Sequence, residues 1–189
     1  MTVVKRLAAL VTGVVLLCLA MWLNDLKPHV DAHDMDPIRS HGTIGTAVAN
    51  RVFSVRVDRV EVAGSLAGDL GAKDVTTAGV FVIVHLAAMG ELKPYAMSQV
   101  RLESGGDTFT GNGHVIAGDP GSFDPLIWRK VVVSFEIPKD RLADAHLVVG
   151  EAGLLTQLSA ETDIDLALTS VKSAGLLAHP VEHYDLRAG

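Results

Sequence analysis

Cysteine is almost missing from this chain of 189 residues: its one thiol, Cys18, lies inside the longest apolar run. A disulfide framework is excluded, and so, beyond Cys18, is a thiol nucleophile, so a folded domain here must be stabilised by its core. Aromatic residues are scarce as well, 5% of the chain, with two Trp and two Tyr. Charge is absent from one long stretch. Before Asn24 the only charged side chains are Lys5 and Arg6, and the other 16 − 2 = 14 basic residues share the rest of the chain with all 22 acidic ones, a balance of 14 − 22 = −8. That excess disfavours a nucleic-acid partner, which needs a basic stripe to neutralise phosphates. It also gives no net attraction to anionic lipid.

The uncharged run Leu7 to Leu23 covers roughly 25 Å as a helix, close to the ~30 Å of a hydrocarbon core. Trp22 suits an interfacial aromatic belt, and the two cations before the run place the N-terminus in the cytoplasm. The expected organisation is a cytoplasmic segment 1–6, a transmembrane signal-anchor helix 7–23 and an extracytoplasmic remainder, hence a single-pass protein of the cell membrane. Two other readings give the same topology. A cleaved signal peptide has a shorter apolar region, and Cys18-Leu19-Ala20 is a poor cleavage site. Lipidation at Cys18 needs a small residue before the cysteine, where Leu17 stands.

Residues 24–42 are polar, rich in Asp and His, and contain Pro28 and Pro37, which reads as a stalk. From Thr43 the apolar residues recur with period two. Phe53, Val55 and Val57 alternate with polar neighbours, but Val60 and Val62 fall out of phase, so a bulge is expected near Asp58-Arg59. Ala63 to Gly79 reads as a long loop. Val80-Phe81-Val82-Ile83-Val84-His85-Leu86 is apolar on both faces, the mark of a strand covered on two sides. Val100 with Leu102, then Val131 to Ile137, then His146 to Val149, and finally Ile164 to Leu168 supply further strands. About seven strands across 43–170 without an amphipathic helix predict an antiparallel β-sandwich. Residues 171–189 read as an irregular tail with apolar points at Leu176, Leu177, Val181 and Tyr184.

The order of these strands, above all Val131-Val132-Val133-Ser134-Phe135-Glu136-Ile137-Pro138-Lys139-Asp140 followed by Ala145 to Val149, resembles a family of bacterial extracellular immunoglobulin-like β-sandwiches. That family is a domain of unknown function akin to the secreted mycobacterial immunoprotective antigen. The resemblance implies an immunoglobulin-like sandwich over residues 43–170 and brings no activity. Ala87-Ala88-Met89-Gly90 and Leu126-Ile127-Trp128-Arg129 depart from the turns usual in that family.

Few side chains suggest chemistry. His29 and His33 stand four apart among Asp31, Asp34 and Asp36, and His179 and His183 repeat the spacing around Pro180. On a helix such pairs present two imidazoles to one metal ion, whereas in a solvated stalk or a proline-broken tail they present nothing fixed. His85 reads as a packing histidine in a strand, and no serine stands in a nucleophile elbow. Trp128, followed by Arg129, is either a lid on the core or an exposed anchor for a partner, since Trp and Arg dominate binding hot spots. The expectation is a non-enzymatic, cofactor-free module that binds another membrane or envelope protein through Trp128, Arg129, Leu176, Leu177 and Tyr184. An extracytoplasmic metal- or small-ligand-binding sensor or carrier is the alternative.

Overall fold

The structure, a computed structural model, describes residues 3–25, 36–68, 73–111, 122–151 and 159–186. The chain divides into two compact units, Met1–Met35 and Asp36–Gly189.

The first unit contains α1 (Val3–Asp25), a helix of 23 residues. Leu10, Val15, Leu16, Leu17 and Trp22 are all exposed on it, so its described side chains form no buried stripe. Among the described residues no helix is long and apolar enough to cross a membrane. The expected span over Leu7–Leu23 therefore finds no support among the described residues, which show an apolar helix whose described side chains are exposed.

The second unit is a β-sandwich. One sheet has the order β1 (Ile38–Thr43), β9 (Ala160–Asp165), β8 (His146–Glu151), β5 (Met97–Ser104), β6 (Asp107–Thr110). The other has the order β2 (Val48–Ala49), β3 (Phe53–Leu66), β4 (Val75–Gly90), β7 (Arg129–Ile137). All pairings are antiparallel except β1 with β9, which run parallel. The strands therefore begin at Ile38, inside the segment read as stalk. The IRSHGT sequence of β1 has little apolar pattern because it is an edge strand held by its ladder to β9.

Period-two patterning explains the core. Phe53, Val55 and Val57 of β3, Val82, Val84 and Leu86 of β4, and Val133 and Phe135 of β7 share one core with Leu102, Leu147, Val149 and Ile164 of the facing sheet. The bulge expected at Asp58-Arg59 is present as a register shift between Val57 and Arg59, after which Val60 and Val62 point inward again. The expected loop from Ala63 is shorter than read: β3 runs to Leu66 and β4 starts at Val75, with Leu66 paired to Val75.

The tail is ordered as well. Thr169 caps α2 (Ser170–Ala178) by accepting from the Lys172 N–H. Beyond it the chain runs parallel to β3: the Val181 N–H donates to the Val62 carbonyl (2.8 Å), and the Ala67 N–H to the Tyr184 carbonyl (2.9 Å). This strap lays Tyr184 and Leu186 over Leu66, Phe81, Ile83 and Val132 on the outer face of the second sheet. The double-sided apolar pattern of β4 thus has a local cause, since its outer face is covered by the C-terminal strap of its own chain.

Candidate interaction surface

One end of the sandwich is built by three segments. Arg51–Val52 precedes β3, Glu91–Pro94 follows β4, and Asp124–Trp128 leads into β7. Backbone bonds join them: the Glu91 N–H donates to Val52 (2.9 Å), the Gly90 N–H to Asp124 (3.2 Å) and the Leu126 N–H to Gly90 (3.0 Å). Gly90 permits this approach because a β-carbon there would collide with the carbonyl oxygens of Lys93 and Phe123. Beneath the segments the Phe53 and Tyr95 rings stack at 4.1 Å, with Phe123 5.9 Å further along. The Tyr95 hydroxyl donates to the Gly150 carbonyl (2.8 Å), and burial, aided by the charge of Glu151, pushes its pKa well up. The loops are therefore set on a rigid aromatic floor.

Above that floor the residues are apolar and uncovered. Leu92 is 87% exposed, Leu126 73%, Ile127 54% and Trp128 40%. Leu126 holds φ at +61°, a left-handed conformation that costs a branched residue about 1 kcal/mol or more. The Arg56 guanidinium lies 5.6 Å from the centre of the Trp128 ring, within range of a cation–π contact, and also reaches Asp58 (2.7 Å). Arg129 pairs with Asp124 (3.0 Å). Lys93 and Lys130 are exposed and carry no ion pair among the described residues.

The other residues expected to meet a partner lie elsewhere. Leu176 and Leu177 are half-buried against the main core, and Tyr184 is half-buried on the outer sheet face. Trp128 and Arg129 share the tip. His29 and His33 lie outside the described residues. His179 ends α2 and His183 sits 3.5 Å from Asp74. Among the described residues no three His, Cys, Asp or Glu side chains stand together as a metal site.

Two polar clusters escaped the sequence reading. Beside the strap, the Tyr184 hydroxyl lies 2.9 Å and Glu61 Oε2 3.0 Å from His85 Nε2. Burial and then the Glu61 charge raise the Tyr184 pKa. On the outer face of the first sheet, Glu161 is 1% exposed, and Arg101 grips it through two nitrogens (3.0 and 2.8 Å) while Arg39 adds a third contact (3.2 Å). The bond to Glu161 is the main cause of the raised Arg101 pKa. For Glu103, burial works upward, but hydrogen bonds from Arg101 and Arg39 outweigh it and hold the carboxyl below its ordinary range. Asp163 joins this network through His146 (2.9 Å) and His41 (3.4 Å). Alternating Arg and Glu on adjacent strands was the available signal, but strand order was needed to join them.

No protein-family model matches the chain, and no curated protein matches it. Two solved structures are similar in outline. An uncharacterized β-sandwich protein from Clostridium difficile 630 is 9% identical, with a TM-score of 0.43 over 74% of this chain and 99% of that one. The yjhA protein from Bacillus subtilis is 12% identical, with a TM-score of 0.48 over 66% of this chain and 99% of that one.

Proposed function

We propose that the chain is a membrane-tethered, extracytoplasmic interaction or assembly module of the bacterial cell envelope, non-enzymatic, whose contact surface is the tip around Trp128. In this reading α1 is the tether, the sandwich is immunoglobulin-like, and the component met at the bilayer is another membrane or envelope protein, or the membrane itself. Kinship with the extracellular sandwiches akin to the mycobacterial antigen belongs to the same proposal and rests on strand order and the Phe135–Asp140 sequence. One observation carries it: four large apolar side chains stand uncovered on loops that a stacked aromatic floor holds in place. Exposed apolar clusters of this kind mark binding surfaces, and an aromatic beside arginine is the commonest hot-spot composition.

A photo-crosslinking residue at position 127 of the full chain, activated in intact membranes, tests the reading. An adduct with a membrane component is expected, and Trp128→Ala should reduce it severalfold. Crosslinking no richer at position 127 than at Thr108, on the far end of the sandwich, sinks the proposal.

A further inference from the structure

Resting on the reading of the tip as the contact surface, we propose that its occupant is an anionic lipid surface, into which Leu92, Leu126, Ile127 and Trp128 insert while Lys93 and Lys130 take the phosphate headgroups.

The geometry suits lipid better than a folded partner. Leu92 and Leu126 are the most exposed of the four large apolar residues of the tip, so they project from the end of the sandwich. A protein surface must match projecting side chains with pockets of the right shape, whereas acyl chains close around whatever is inserted. Trp128 is less exposed than its two neighbours, and the Arg56 guanidinium stands by its ring. That is the arrangement expected at headgroup depth, with the aliphatic residues deeper and the amphipathic ring with its cation at the polar boundary.

Charge agrees at short range although the whole chain is acidic. Two carboxylates near the apolar residues are ion-paired, Asp124 with Arg129 and Asp58 with Arg56, and Glu91 accepts from the Ser54 hydroxyl. Lys93 directly follows Leu92, and Lys130 lies two residues beyond Trp128. Each lysine near an anionic surface adds to the attraction. Leu126 adds an independent sign, since the left-handed backbone at +61° is kept although its side chain makes little contact with the fold. Strain of that sort accumulates at functional positions.

The full chain with Trp22→Phe carries Trp128 as its one tryptophan, two being present in all. It is mixed with vesicles of phosphatidylcholine, with or without phosphatidylglycerol, whose acyl chains are brominated. Expected is a blue shift and about a twofold quenching of Trp128 in anionic vesicles, much weaker in neutral ones and reversed by Lys93→Glu with Lys130→Glu. A vesicle-bound chain whose Trp128 is not quenched overturns the lipid assignment. Failure to bind anionic vesicles at all overturns both the assignment and the tether. A position-127 adduct of protein mass, with Trp128 unquenched, leaves the contact surface standing and removes lipid as its occupant.

Discussion

Tyr95 shows how one hydroxyl ties the tip to the core. Its hydrogen bond to Gly150 is worth about 1 kcal/mol net, so Tyr95→Phe should lower stability by that amount at neutral pH while keeping the ring stack. Because burial raises the phenol pKa, the unfolded chain releases this proton near pH 10 and the folded chain does not. Stability from Tyr95 is therefore complete below that pH and lost as pH rises above it. Denaturant titrations at pH 7 and about pH 11 should show the wild type losing stability faster than Tyr95→Phe. Equal losses would show that the hydroxyl is solvated in the folded state. Leu126 gives the complementary case, in which the side chain adds little to the fold. Leu126→Gly relieves a left-handed backbone and gives up almost no burial. Thermal stability should stay level or rise slightly while crosslinking from position 127 falls. A loss above ~2 kcal/mol would mean that Leu126 packs into the fold after all.

Among the elements, the C-terminal strap and the Arg–Glu ladder carry the clearest consequences. Leu186 is buried over Phe81, Ile83 and Val132, so Leu186→Ala should cost about 2 kcal/mol, the low end of the range for a leucine that can relax outward. Removing 181–189 should cost more and bind a hydrophobic dye at the bared face of β4. An unchanged melting temperature after truncation would show that the strap does not cover that face in solution. Across the other sheet, Arg101→Met leaves Glu161 with Arg39 alone, and loss of one partner from a buried ion pair costs about 3 kcal/mol. A double cycle with Glu161→Gln should recover much of it.

These elements also mark how far the sequence could be read. The bulge at Asp58-Arg59 and the two-sided face of β4 were legible because side-chain period is a local property. β1 was not, since an edge strand such as IRSHGT takes its conformation from β9, more than a hundred residues away. α2 was missed because Gly175 and the exposed Val171 blur its periodicity, although Thr169 offered a cap signal. Trp128 and Arg129 were visible as residue types, but the tip depends on Leu92, which only the contact between two loops brings beside them.

At the scale of the whole molecule the question is which charges a surface feels. The formal net charge of −6 gives no attraction to anionic lipid, yet charge is unevenly placed. The β5–β6 turn, the approach to β8 and the end of β9 gather Glu103, Asp107, Asp144 and Asp163 around a hollow of about 340 Å³, at the end opposite to Lys93 and Lys130. Strand β7, nine residues from Arg129 to Ile137, spans roughly 30 Å between the two ends. At 0.1 M salt the Debye length is about 10 Å, so a carboxylate at the far end acts at the tip with roughly one-twentieth of its unscreened effect. Asp107→Asn with Asp144→Asn should therefore leave Trp128 quenching in anionic vesicles almost unchanged, and Asn at position 144 tolerates the positive φ found there. Lys93→Glu with Lys130→Glu makes a charge change of only twice that size, in the opposite sense, and should abolish the quenching. Were net charge in control, the far-end pair would strengthen quenching by about half as much as the tip pair weakens it. Raising salt to 1 M shortens the screening length to about 3 Å and should bring the wild type and the double-glutamate variant towards one another, with the wild type weakened.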